Sequence, residues 1–374
     1  MKIRDFGVEQ WMNLYENHCT HNLAETCVHP LTLAQLLELC GSPAALLEEL
    51  CAMQMTYGDI EGSDRLVGAI ASLYQTAQPE NIAVTHGAIG ANAIVLLSLV
   101  EPGDHVISVL PTYQQLYSIP ESLGAEVELL QLREEDGWLP DPERLRAMLR
   151  PNTRMICINN PNNPTGAVMD QDCLMDICRI AHSVGAYLLC DEVYRGLTHQ
   201  GDPYTVSPFD LYDRAISTGS LSKTYSLAGL RMGWVAASEN VIRSINRQRD
   251  YHIISCGKLN DRLAALALEN RDKIVGRSLE LVRRNKAILA QWVEEQPHIS
   301  WLEPQGGTTA LLFYNMDIPS QKLCARLQAE TGVMLLPGSV MEMEGYLRIG
   351  YACETPVLQE GLARFGGWLT ANFG

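Results

Sequence analysis

The chain has 374 residues, 47% hydrophobic and 19% charged, which is enough apolar material for about two domains with buried cores and rules out global disorder. Lys plus Arg number 28 and Asp plus Glu 44, for a formal net charge of −16, and a surface that acidic repels phosphate backbones, which excludes nucleic acid as the expected partner. Eleven cysteines, an odd number and scattered singly, follow an N-terminus (MKIRDFGVEQ) with no apolar core or small-residue cleavage site, so the expectation is a cytosolic protein with reduced thiols.

In chain order, residues 1–45 carry helix signals but few strong ones. They are expected to form a segment that packs onto a smaller domain and the active site. The apolar run from Ile82 to Val100 is interrupted by His86, Gly87, Gly90 and Asn92. It reads as strand, glycine loop and helix rather than a membrane span. Further strands are predicted at His105–Leu110, Glu126–Leu132, Met155–Asn159, Ala186–Cys190, Arg214–Thr218 and Gly233–Ala237. Several are apolar without alternation, as strands covered on both faces are. A helix is predicted at Pro142–Leu149, with Asp141 as N-cap and Pro142 at its first position. Strand–helix alternation over about 190 residues implies an α/β domain with a mostly parallel sheet, assigned to residues 46–260. Helical character dominates from Leu259 to Glu295. Strands at Thr308–Tyr314, Met334–Leu336 and Tyr346–Ile349 and a helix at Gln321–Thr331, stopped by Gly332, follow; residues 261–374 are expected to form a smaller α+β domain.

Five segments carry candidate chemistry. Lys223 stands in Ser220-Leu221-Ser222-Lys223-Thr224, just past a buried strand, and Arg231 follows eight positions later. Alone, Lys223 reads as a surface loop lysine. Asn162-Asn163-Pro164-Thr165-Gly166 after Met155–Asn159 also reads as a plain turn. Asp191-Glu192-Val193-Tyr194 ends another strand, where open α/β sheets bind ligands, and a carboxylate buried there needs a cationic partner. Asp191 alone also reads as a helix N-cap. Thr85-His86-Gly87-Ala88-Ile89-Gly90-Ala91 is a glycine loop opening a helix, whose free N–H groups hold phosphate. In Pro111-Thr112-Tyr113 the aromatic ring could cover a flat ligand.

Together, Asn163-Pro164-Thr165-Gly166, Asp191-Glu192-Val193-Tyr194 and Ser220-Leu221-Ser222-Lys223 with Arg231 resemble, in order and spacing, the class I/II pyridoxal-phosphate (PLP) aminotransferases of fold type I. The resemblance runs from about Tyr57 to Tyr351. It implies an enzyme with PLP bound as an internal aldimine on Lys223, which also shuttles protons. A depressed lysine pKa is expected for that role. Asp191 would pair with the pyridine nitrogen, Asn163 and Tyr194 would bond the ring oxygen, and Tyr113 would stack on the ring. Gly87, Ala88, Ile89, Ser220, Ser222 and Arg231 would hold the phosphate. Arg348, in Tyr346-Leu347-Arg348-Ile349-Gly350, would grip the substrate α-carboxylate, and Thr308, in Gly306-Gly307-Thr308, would lie near the substrate. Tyr57 would reach the phosphate of a neighbouring subunit, making the active unit a homodimer.

The first residues look more like the subgroup of capreomycidine synthases and PLP-dependent arginine oxidases. That likeness implies a catalytic His29, with an ordinary structural histidine as the alternative. Glu9, Glu16 and Glu25 read as solvated carboxylates, or as partners of a guanidinium on a bound arginine. The spacing of His18, Cys19, His21, Cys27 and His29 is not a standard zinc pattern, and no metal is expected. Two activities follow as expectations: transamination between an amino acid and a 2-oxo acid, or oxidation or cyclisation of arginine or a hydroxyarginine.

Overall fold

The structure, a computed structural model, describes residues 2–41 and 43–374. The N-terminal segment contains helices Gly7–Tyr15 and Leu33–Leu39 and the short strand β1 (His21–Asn22). Seven strands then build the large sheet: β2 (Ile82–Thr85), β3 (His105–Leu110), β4 (Glu126–Gln131), β5 (Thr153–Asn159), β6 (Tyr187–Asp191), β7 (Ala215–Ser220) and β8 (Gly233–Ala236). Five more follow: β9 (Ile299–Ser300), β10 (Thr309–Tyr314), β11 (Val333–Met334), β12 (Leu336–Pro337) and β13 (Tyr346–Gly350).

The large sheet has the order β2-β8-β7-β6-β5-β3-β4. Every neighbouring pair from β7 to β4 is parallel, and β8 runs antiparallel to both its neighbours. The mostly parallel sheet is as expected; the reversed β8 has a simple cause. The connection from β7 to β8 spans 221–232 and holds only the short turn Ala228–Leu230. Without a crossover helix the chain must return antiparallel. That return leaves Lys223 and Arg231 on one connection, at the edge where β3, β5, β6 and β7 end.

The non-alternating apolar strands are explained by two cores. In β5, Ile156 and Ile158 pack into one cluster, while Met155 and Cys157 pack into the other. Successive side chains point to opposite faces, so both parities are apolar when both faces are covered. The helix Gly87–Leu99 covers the second face with Ala91, Ile94, Val95, Leu96 and Leu99.

Several predicted bounds shift. The sixth and seventh strands run on to Asp191 and Ser220, so both residues end their strands. The helix after Asp141 stops at Ala147, and Asp141 caps it by accepting the N–H groups of Glu143 and Arg144 at 2.8 and 3.3 Å. The helical stretch after Leu259 is two helices, Lys258–Glu269 and Arg271–Glu294. The predicted strand Met334–Leu336 is divided: β11 pairs in parallel with β1, and β12 pairs antiparallel with β13. Leu335 between them is fully buried and marks the change of sheet.

The β1–β11 pair ties the N-terminal segment to the C-terminal region, with His21 opposite Val333 and Asn22 opposite Met334. The segment then runs along β13: the Gly350 N–H donates to the Leu23 carbonyl at 2.7 Å. A Cβ on Gly350 would stand 1.8 Å from the Glu25 carbonyl oxygen. Only a residue without a side chain permits this approach, and it sets residues 24–27 over the ends of the large-sheet strands.

Candidate active site

A cavity of about 490 Å³ lies between those strand ends and residues 24–27. Among the residues singled out from the sequence, it is lined by Glu9, Glu16, Glu25, Cys27, Ala88, Ile89, Tyr113, Asn163, Asp191, Tyr194, Ser220, Ser222, Lys223, Arg231 and Arg348. Strand ends and adjoining loops deliver nearly all of them, as expected for an open α/β sheet.

Asp191 is 3% exposed. Its Oδ2 accepts Asn92 Nδ2 at 2.8 Å and its Oδ1 accepts the Val193 N–H at 3.2 Å. Burial pushes the carboxyl above the usual aspartate range, opposed by these bonds and by Lys223. A carboxylate in this condition is relieved by a cation placed against it.

Lys223 Nζ donates to Thr26 Oγ1 at 2.6 Å and to Cys27 Sγ at 3.3 Å, and lies 4.0 Å from Glu25 Oε1. The expectation of a depressed amine is not met. Burial pulls it down, but Cys27, Tyr194 and Glu25 outweigh burial and hold the amine above the ordinary lysine value. Burial itself raises the Cys27 thiol and the Tyr194 phenol. Both therefore ionise, and act on the amine as anions, only well above neutral pH; at neutral pH Glu25 is the charged neighbour that favours the ammonium. Burial opposes the Glu25 carboxylate, but Lys223 and the N–H groups of Thr26 and Cys27, both at 2.7 Å, hold it below the ordinary glutamate range.

The same cavity also holds a set of groups that suits an anion. Gly87 opens its helix at φ +70°, and a Cβ there would lie 3.0 Å from the Arg231 guanidinium. Gly87 itself does not line the cavity; its bare Cα lets Arg231 approach the helix start, where the first N–H groups lack intrahelical partners. Arg231 itself has left-handed backbone, φ 51°. Ser220 ends β7 and Ser222 opens the connection that carries Arg231, and the Ser222 N–H donates to Ser220 Oγ at 3.3 Å.

Arg348 is 3% exposed. One terminal nitrogen donates to Asn163 Oδ1 at 3.3 Å and the other to the Ala24 carbonyl at 2.9 Å, while Nε has no partner among the described residues. A buried guanidinium with a free N–H is equipped to take a carboxylate. Tyr113 Oη donates to Glu9 Oε1 at 3.0 Å, so the two span one wall of the cavity. Glu16, from the same N-terminal segment as Glu9, is raised by burial and by its neighbours Glu25 and Glu9.

Besides Gly87, three predicted residues lie outside this cavity, and of these Tyr57 was expected at a neighbouring subunit's phosphate rather than here. Thr308 is fully buried behind the cavity, where Oγ1 donates to the Thr26 carbonyl at 2.6 Å; it steadies the turn rather than facing the cavity. Tyr57 is 77% exposed and bridges only to Gly257. His29 is outside the cavity: its N–H donates to the Ala352 carbonyl, and its ring faces Glu354 Oε1 at 3.1 Å in a separate surface groove. Residues 24–27 make the contacts with the cavity, and by position 29 the chain has already turned away. Sequence reasoning missed Thr26, Cys27 and Asn92 as site residues. Asn92 had a signal, as a lone amide in an apolar helix; Cys27 was read only as a member of a metal-type cluster and Thr26 had no signal, because only the pairing with β11 and β13 brings them to Lys223.

PLP fits these residues on three counts. One amine, Lys223, faces the cavity to meet an aldehyde; a buried carboxylate, Asp191, is poised for a cationic ring nitrogen; and the Gly87–Arg231 cradle is open to a phosphate. The family model for class I and II aminotransferases matches residues 9–365. In sequence, the chain is 32% identical over 358 residues to a capreomycidine synthase from Streptomyces vinaceus, across 95% of this chain and 91% of that one. A solved PLP-dependent aminotransferase from Streptococcus suis superposes with a TM-score of 0.96 at 46% identity, across 99% of both chains. A PLP-dependent cyclase, OrfR, superposes with a TM-score of 0.91 at 25% identity, across 99% of this chain and 98% of that one. The chain belongs to the class I and II aminotransferases, PLP-dependent enzymes of fold type I.

Proposed function

We propose that this enzyme transfers the amino group of an amino acid with a cationic side chain to a 2-oxo acid. The observation that carries the reading is the convergence, in one cavity, of the Lys223 amine, the buried Asp191 carboxylate and the partly unpaired Arg348 guanidinium. When bound, PLP supplies an aldehyde carbon and an electron-withdrawing ring. Lys223 holds the cofactor and moves the proton at the substrate Cα. Asp191 would hold the ring nitrogen protonated, Asn163 and Tyr194 would bond the ring oxygen, and Tyr113 would cover the ring. Ala88, Ile89, Ser220, Ser222 and Arg231 hold the phosphate, with Gly87 leaving the room for it. Arg348 grips the α-carboxylate by parallel hydrogen bonds, which also fixes the substrate's orientation.

The side-chain preference follows from charge. Glu9, Glu16 and Glu25 all line the cavity. Glu25 already faces Lys223 and Glu9 accepts from Tyr113, which leaves Glu16, a carboxylate crowded by two others, best relieved by a substrate cation. The same three carboxylates, with the likeness to a capreomycidine synthase and a PLP-dependent cyclase, support a second reading: oxidation or cyclisation of arginine or a hydroxyarginine.

The active unit is proposed to be a homodimer. Met55, Tyr57, Ile60, Tyr251 and Ile254 are all more than half exposed, and the Tyr57–Gly257 bridge joins the two segments that carry them. An exposed apolar patch of this kind marks an interface.

The test is a panel of amino acids given to the PLP-loaded protein with and without oxygen, followed for 2-oxo acid, ammonia and peroxide. Product from arginine or lysine only when a 2-oxo acid is added supports transamination. Peroxide and ammonia from arginine alone, or a cyclised product, support the second reading. Turnover confined to acidic or apolar amino acids refutes the cationic-substrate assignment.

A further inference from the structure

Asp191 has its two oxygens filled by different donors. The Val193 N–H reaches Oδ1 at 3.2 Å, and Asn92 Nδ2 reaches Oδ2 at 2.8 Å. Asn92 is 1% exposed, on a helix whose other buried side chains are apolar. An amide in such a place is costly unless both of its ends are paired. Its second end is paired: Thr218 Oγ1 donates to Asn92 Oδ1 at 2.7 Å. Thr218 is fully buried on β7, in register with Asp191 on β6. A carboxylate only accepts, so Asn92 must turn its NH₂ toward Asp191. Its carbonyl then faces Thr218, whose hydroxyl has to donate. The hydroxyl thereby selects the orientation of the amide.

We infer that Asn92 is the positioning residue that keeps Asp191 ionised and aimed at the cavity, and that Thr218 sets which end of Asn92 is presented. This rests on the proposed pairing of Asp191 with the cofactor ring nitrogen. The titratable groups that face Asp191 are Lys223, which favours the anion, and Glu192, Tyr113 and Cys190, which oppose it when charged. Asn92 is uncharged at every pH, and its N–H bonds the Asp191 carboxylate more strongly than the protonated acid, so losing it favours protonation of Asp191.

The experiment measures PLP affinity by absorbance titration of the resolved protein at a series of pH values. Asn92→Ala should weaken PLP binding about tenfold at neutral pH and move the acid midpoint of binding up by about one pH unit, the size of one charge-assisted hydrogen bond. Thr218→Val, nearly isosteric, should shift both in the same direction by less, and Thr218→Ser should restore wild-type values. If Asn92→Ala does not fold, Thr218→Val against Thr218→Ser decides. Wild-type affinity and midpoint in both Asn92→Ala and Thr218→Val overturn the inference. Asp191→Asn separates the two claims. If Asp191→Asn keeps wild-type affinity, the ring-nitrogen assignment itself fails. If it loses affinity while Asn92→Ala and Thr218→Val are both silent, only the role of Asn92 and Thr218 fails.

Discussion

Gly350→Ala tests whether the N-terminal turn is held against Lys223 by a backbone contact. The added Cβ would stand 1.8 Å from the Glu25 carbonyl oxygen, and real Cβ contacts essentially never fall below 3.0 Å. The carbonyl must therefore retreat by at least 3.0 − 1.8, about 1.2 Å. Displacement by that amount takes Thr26 Oγ1, now 2.6 Å from Lys223 Nζ, beyond hydrogen-bonding range. A misplacement of about 1 Å at a reacting centre costs on the order of 100-fold in rate. Overpacking of this kind also destabilises by about 1–3 kcal/mol. Steady-state kinetics and thermal unfolding of the PLP-loaded variant read out both effects. The control is Gly276→Ala, inside the helix Arg271–Glu294 with nothing within 4 Å of its Cβ. It should leave kcat/KM unchanged and add roughly 0.5–1 kcal/mol of stability. A Gly350→Ala enzyme within twofold of wild-type kcat/KM and with the same Tm would refute the reasoning, because the turn would then tolerate movement that the contact forbids.

Arg348→Lys replaces a planar donor set by a point charge and leaves the carboxylate about one charged hydrogen bond short; KM for the amino donor should rise roughly 10- to 150-fold, the equivalent of about 1.5–3 kcal/mol, with a smaller change in kcat. An unchanged KM in a folded variant would remove Arg348 from the carboxylate site. Glu192 is 4% exposed, has an Oε2 with no partner among the described residues, and is pushed up by burial to about 7. Its native form binds a proton that the unfolded chain has released, so it subtracts stability as pH rises from about 4.5 through about 7. Glu192→Gln should raise Tm above pH 7 and narrow the difference toward pH 5, and a Tm gap independent of pH would contradict the assignment. His29→Ala removes only a 3.1 Å surface contact with Glu354, so kcat/KM should stay within about twofold of wild type and stability should change by less than about 1 kcal/mol. A tenfold loss of turnover would return His29 to the chemistry.

The amino-acid order alone determined the large sheet, because strands buried on both faces announce themselves as continuous apolar runs, and their ends carry the residues that matter. Asp191, Ser220 and Lys223 were legible for that reason: each lies at or just beyond a strand end, where local pattern and ligand position coincide, and Arg231 was legible from its fixed spacing after Lys223. The reversal of β8 was not legible, since direction depends on the absence of a helix between β7 and β8 rather than on the strand itself. Neither was the part played by Thr26 and Cys27. Their approach to Lys223, almost two hundred residues away in the chain, depends on β1 pairing with β11, on the bare Cα of Gly350 and on the Thr308 hydroxyl behind Thr26. Contacts between distant segments leave no local period to read, which is also why His29, the residue of the right chemical type in nearly the right position, proved to face the other way.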